Sequence, residues 1–173
     1  MRQAALLKTF AQHGRTADLE GWGDRCEYCQ LPAQLQSGGF EVDHILPRSQ
    51  GGRTEMVNVA LACLHCNAHK WAYSDGEDPV SGQRVAPFNP RTQRWEEHLQ
   101  WSVHRSFAII GISTHGRTTV ARLQMSHPNL VSIRCLLAAL GISWKVEAYR
   151  DRGGFGHHFC CKNRFESFDH TGC

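Results

Sequence analysis

Apolar and polar positions alternate from Phe40 to Ile45, where Phe40, Val42 and His44 or Ile45 are separated by charged side chains. This period of two predicts a strand, which Pro47 and Gly51-Gly52 bring to a turn. The apolar run Val59 to Ala62 predicts a second strand. Cys66 to Ser74 lacks breakers and predicts a helix, stopped by Asp75-Gly76 and a turn-rich stretch through Pro79, Gly82 and Pro87 to Pro90. Upstream, Gln3 to Gln12 reads as a short amphipathic helix with Leu6, Leu7 and Phe10 on one side, ended by Gly14. Downstream come a strand-like Phe107 to Ile112, a helix for which Thr118 or Thr119 is the expected cap, and a helix after Pro128. This last helix sets Leu130, Ile133, Leu137 and Leu140 on one side, and Gly141 is placed to stop it. From Lys145 the periodicity disappears into a Gly-, Arg- and aromatic-rich tail expected to be loop or poorly ordered. The pattern predicts four segments: an N-terminal helix and linker (1–21), a strand-strand-helix unit (22–76), a mainly helical extension (77–144) and the tail (145–173).

With 173 residues, 41% of them apolar, the chain suffices for one ordinary domain or two small ones, and a disordered chain is not expected. A formal charge of +3 does not by itself mark a nucleic-acid binder. Fifteen arginines against four lysines favour bidentate contact with phosphate or carboxylate. The apolar stretch Ala4 to Leu7 is broken by Lys8, too short for a signal-peptide core or a membrane span, so the expected location is the cytoplasm. There the eight cysteines should stay reduced and be available to bind metal.

Their spacing supports that role. Cys26-x-x-Cys29 and Cys63-x-x-Cys66 form two knuckles, and four thiolates at tetrahedral distance make a closed, structural Zn²⁺ site with no open position for water. The 33 residues between Cys29 and Cys63 exceed what a simple ribbon needs, and this excursion contains Asp43-His44.

Between and after the knuckles run Glu41-Val42-Asp43-His44-Ile45-Leu46-Pro47-Arg48-Ser49-Gln50-Gly51-Gly52, then Asn58, then Cys66-Asn67-Ala68-His69-Lys70. Over residues 22 to 74 this pattern resembles the HNH endonuclease family. Residues 78–141, with Phe88-Asn89-Pro90-Arg91 and Trp95, look like an extension found in some bacterial members. The resemblance implies an α+β chain: a small ββα-metal core stapled by the four-cysteine zinc site, with a mainly helical C-terminal extension. It implies a metal-dependent endonuclease that cuts DNA, double-stranded in expectation, leaving a 5′-phosphate and a 3′-hydroxyl. Phosphodiester hydrolysis needs a nucleophilic water, neutralised phosphoryl oxygens and a stabilised leaving alkoxide.

In this reading Asp43 and Asn67 offer the hard oxygens that Mg²⁺ or another divalent cation prefers. His44 is the expected general base, its unperturbed pKa of about 6.5 lying near working pH. Adjacent strand residues point to opposite faces, so Asp43 and His44 can serve one phosphate only where the strand bends or ends. Asn58 would bond backbone groups and so keep the His44 loop aimed. Asn67 stands where other members carry a histidine, and His69 is the substitute ligand. Lys70, on the Asn67 face, would contact a phosphate or face solvent.

Arg48, Arg91 and Arg94 are further candidates for DNA contact. Trp95 and Trp101 would either stack on nucleic acid or anchor the extension to the core. Cys135 reads as core, and the His157-His158-Phe159-Cys160-Cys161 cluster lacks knuckle spacing, so no second zinc is assigned to it. Residues 1–74 balance seven basic against seven acidic groups, leaving attraction to DNA to the catalytic cation and the arginines of the extension. The rival expectations are a catalytically inactive, zinc-stabilised nucleic-acid-binding module and a purely structural zinc protein.

Overall fold

The computed structural model describes residues 25–32, 35, 39–102 and 107–140. Expectations for residues 1–24 and 141–173 lie outside them. The centre is an antiparallel pair, β1 (Phe40–His44) and β2 (Val59–Cys63), in register from Phe40 opposite Cys63 to His44 opposite Val59. All five residues of β2 are small or β-branched apolar side chains or cysteine, apart from Leu61, and all are buried. Strand β1 alternates less completely, with Phe40 and Asp43 buried and the other three half-buried.

Helix α1 (Leu64–Lys70) begins directly at the end of β2, with the Cys63 sulfur accepting a hydrogen bond from the Cys66 N–H at 3.4 Å. It starts earlier than the sequence predicts and ends earlier too. Trp71 turns to φ 49° and its N–H closes on the Asn67 carbonyl, which breaks the helix without glycine or proline.

The extension contributes two more strand pairs, β3 (Gly76–Glu77) with β4 (Arg84–Val85) and β5 (Leu99–Trp101) with β6 (Ile109–Gly111). Its helices are α2 (Trp95–His98), α3 (Thr114–Arg122) and α4 (Pro128–Ala139). Asp78, fully buried, accepts from Ser81 and takes both guanidinium arms of Arg117 at 2.7 Å, tying the first hairpin to α3. Among the described residues one hydrophobic core joins Tyr28, Phe40 and Leu61 to Phe88, Leu99, Ile109, Leu123 and Met125. The motif region and the extension share this core, and the expected division at 76/77 falls inside β3.

Two details of the extension differ from the sequence reading. Ser113 caps α3, its hydroxyl accepting from the Gly116 N–H at 3.1 Å. Thr118 and Thr119 are buried inside the helix, where Thr119 Oγ1 donates to the His115 carbonyl and accepts the Phe88 N–H. On α4 half of the predicted stripe is uncovered: Ile133 and Leu140 are exposed and Leu130 and Leu137 half-buried, while Arg134 and Cys135 are buried. Arg134 tolerates this because its Nη1 donates to the carbonyls of Phe107 and Met125, so the charge is hydrogen-bonded as its apolar stem packs. Among the described residues no helix is long and apolar enough to cross a membrane.

Candidate active site

The knuckles meet because β2 delivers Cys63 to the first turn of α1. The segment 25–32 folds back through an Arg25–Pro32 bridge and a left-handed Gln30 at φ 60°. The four sulfurs of Cys26, Cys29, Cys63 and Cys66 all lie within 4.8 Å of one another, and Cys29 and Cys63 are 3.7 Å apart. A tetrahedron of Zn–S bonds near 2.3 Å requires sulfurs about 3.8 Å apart, so the cluster fits zinc. Burial pushes the Cys26 thiol up, and hydrogen bonds among the sulfurs push Cys66 up and Cys29 down. Four buried thiolates repel one another unless a cation is shared among them, which couples metal binding to proton release.

The extension braces these knuckles from outside. The Trp95 indole N–H donates to the Tyr28 carbonyl at 2.8 Å, His65 Nε2 meets the Leu123 carbonyl at 2.9 Å, and Arg91 pairs with Glu27. Glu27 also accepts the Leu61 N–H, so one carboxylate links knuckle, strand and extension. Trp95 and Trp101 lie 5.9 Å apart, centroid to centroid, and pack against the core. Arg91 is therefore engaged in holding the extension to the first knuckle. Arg94 is exposed, 3.9 Å from Glu97.

Beyond β1 the chain makes a compact loop. Pro47 leads a single turn, Arg48–Gln50, which Gly51 closes at φ 87°, where a side chain is disfavoured. Gly52 approaches so closely that an added Cβ would sit 1.8 Å from the Leu46 carbonyl oxygen. Asn58 then fastens the loop: Oδ1 accepts the Leu46 N–H at 2.8 Å, while Nδ2 donates to the carbonyls of Leu46 and Arg53. His44 stands at the strand's last position, its Nε2 2.9 Å from Thr54 Oγ1. Burial lowers the pKa of His44, Asp43 opposing and Arg48 and Lys70 adding to the fall.

Glu41, Asp43, His44, Arg48, Asn67 and Trp71 are among the residues lining one open cleft between this loop and α1. Glu41 and Asp43 share a face of β1, and Asn67 Nδ2 donates to the Glu41 carboxylate. Asp43 is buried, one oxygen accepting from the Tyr28 hydroxyl at 2.5 Å and the other from Lys70 Nζ at 2.9 Å. Desolvation and the Asp43 charge together push the Tyr28 phenol well up, desolvation contributing most.

Lys70 corrects the sequence reading. It is 2% exposed, and besides Asp43 it donates to the His44 carbonyl at 2.8 Å, so it neither faces solvent nor reaches for a phosphate. His69 does not line the cleft, because two positions beyond Asn67 is the far side of a helix; its Nδ1 meets the His65 carbonyl. Glu41 and Tyr28 were not singled out by the sequence. The only signal for Glu41 is its place two residues before Asp43; a tyrosine inside a knuckle gives none.

Residues 26–72 match the family model of the HNH endonuclease. Among curated proteins, the Septu protein PtuB of Bacillus thuringiensis is 24% identical over 135 residues, covering 72% of this chain and 49% of that protein. The chain thus spans about half the length of the curated relative it matches. No solved structure is significantly similar.

Proposed function

We propose, from the premise that residues 26–72 form an HNH endonuclease domain, that this chain is a metal-dependent endonuclease hydrolysing DNA phosphodiester bonds. The observation that carries the reading is the cleft at the junction of β1 and α1, whose lining residues include a histidine, two acidic residues and an asparagine: His44, Glu41, Asp43 and Asn67. These oxygen donors suit a hard divalent ion. Asp43 and Asn67 would hold it, and Glu41, hydrogen-bonded to Asn67, is a third donor. Such an ion, Mg²⁺ or another divalent cation, would supply charge neutralisation at the phosphoryl oxygens and the leaving alkoxide.

The chain's own groups would do the rest. In the tautomer in which Nε2 donates to Thr54 Oγ1, the His44 imidazole would have Nδ1 left to take the proton of the attacking water. Its lowered pKa keeps it in the neutral, proton-accepting form at neutral pH. Asn58 keeps the loop from Ile45 to Arg53 in place, so that the base keeps its aim. Arg48, exposed at the cleft, is the arginine positioned to meet a backbone phosphate.

The test is nicking of supercoiled plasmid by the zinc-loaded chain with Mg²⁺ or Mn²⁺, beside His44→Ala. Cutting by the parent alone supports the enzyme. One observation favours a second reading: Lys70 already neutralises Asp43, as it would in a catalytically inactive, zinc-stabilised nucleic-acid-binding module. DNA binding by both proteins, with no cutting of plasmid or of single-stranded DNA under any divalent ion, would establish that alternative.

A further inference from the structure

Trp71 is 74% exposed at the edge of the cleft. A bulky non-glycine residue at φ 49° and ψ −142° is strained, and such a conformation persists only where its surroundings over-determine it. Here they do so from both sides. The Trp71 N–H is bound to the Asn67 carbonyl at 2.9 Å. The next carbonyl, that of Ala72, accepts from Gln50 Nε2 at 2.9 Å, and Ser74 Oγ donates to Gln50 Oε1 at 2.6 Å. Just beyond, the Arg122 guanidinium lies over the Tyr73 ring, 3.3 Å from its centroid, although Tyr73 is still 45% exposed. The fold therefore braces the backbone around an indole that it leaves uncovered. Trp95 and Trp101, by contrast, are packed against the core.

We propose that Trp71 is a stacking platform for a nucleobase beside the scissile phosphate, and that the substrate is a DNA segment whose base there is unstacked, as in single-stranded DNA. This rests on the endonuclease reading for the choice of ligand. The indole shares the cleft with His44, Asn67 and Arg48, and the cleft's volume of about 480 Å³ admits a nucleotide-sized group. An aromatic face binds any base, because every base has a π-face. In a duplex those faces are covered by their neighbours, so a ring at the cleft can stack only on a base that has left the helix. Arg48 holding the backbone and Trp71 holding the base would fix the intervening phosphate in front of His44 without reading sequence.

Binding is measured by fluorescence anisotropy on the zinc-loaded full chain carrying His44→Ala, with Mg²⁺ present, so that no strand is cut. The ligands are a single-stranded oligodeoxynucleotide, an abasic one of equal length, and a duplex. We expect the base-bearing single strand to bind about fivefold or more tighter than the abasic strand, the low end for one base–aromatic stack. Trp71→Phe should keep most of that preference and Trp71→Leu, similarly apolar but without a flat face, should lose it, with zinc content unchanged. Equal binding of base-bearing and abasic strands by the parent, equal preference in the Phe and Leu variants, or tightest binding to duplex irrespective of residue 71 would each overturn the proposal alone. No binding of any ligand would overturn it together with the endonuclease reading.

Discussion

Replacing Lys70 by methionine keeps the length and the apolar stem of the side chain but removes its charge. The partners Lys70 and Asp43 are 2% and 3% exposed at 2.9 Å, so solvent screening is weak and the small values typical of surface pairs do not apply. Their gross attraction at an effective dielectric of about 20 is about 6 kcal/mol, most of it offset by the desolvation of both ions. What the variant exposes is this desolvation: among the described residues Asp43 keeps only Tyr28 as a side-chain partner while it remains buried, and the His44 carbonyl loses its donor. The expected loss is about 3–5 kcal/mol of folding stability. Urea denaturation at fixed excess zinc, followed by far-UV circular dichroism, measures it. Adding Asp43→Asn should recover a large part, because a neutral amide no longer needs a cation. A loss below about 1 kcal/mol, or a double variant as unstable as the single one, would refute the view that these two charges support each other in the dry interior.

Three further outcomes follow from the geometry. Chelation of zinc, or blocking of the thiols, should unfold the β1–β2–α1 unit, read as lost ellipticity in step with released metal; retention of structure in the metal-free chain would contradict the stapling role of the four sulfurs. Gly52→Ala should cost more than about 2 kcal/mol, since its Cβ would meet the Leu46 carbonyl at 1.8 Å, whereas Gly82→Ala, in open space at φ 70°, should cost about 1 kcal/mol; parity in urea midpoints would count against the close approach. The Arg117 guanidinium holds the Asp78 carboxyl well below the usual carboxylate range, so its contribution is fully present above a pH of about 4 and is lost as pH falls further. Asp78→Asn should flatten the fall in urea midpoint below that pH, and a slope unchanged from the parent would exclude Asp78 as its source.

Much of the site was legible because its elements are specified locally. The period-two pattern around Val42 gave β1 to within a residue at its end, and β2 was missed by one. Cys-x-x-Cys spacing requires only that two turns come together, and the four sulfurs do. Gly51-Gly52 marked a turn, which the structure explains by a positive φ at Gly51 and backbone contact at Gly52. The end of α1 was not legible, since nothing in the residue type of Trp71 predicts a positive φ; a hydrogen bond from the Trp71 N–H to the Asn67 carbonyl and one from Gln50 to the Ala72 carbonyl hold that segment in place.

The sequence by itself determined which four cysteines stand at metal-ligating spacing, the order of strand, loop, strand and helix, and the residues able to donate oxygen or accept a proton. These depend on neighbours a few positions apart. Tertiary structure decided the partners: Lys70 buried on Asp43, Tyr28 reaching the same carboxylate from inside a knuckle, Arg91 bound to Glu27, Arg134 buried on two carbonyls, and Trp71 left open. A side chain's pattern along the chain sets which face it occupies, but only the element that comes to lie against that face, from tens of residues away, determines whether a charge is desolvated or a ring is covered.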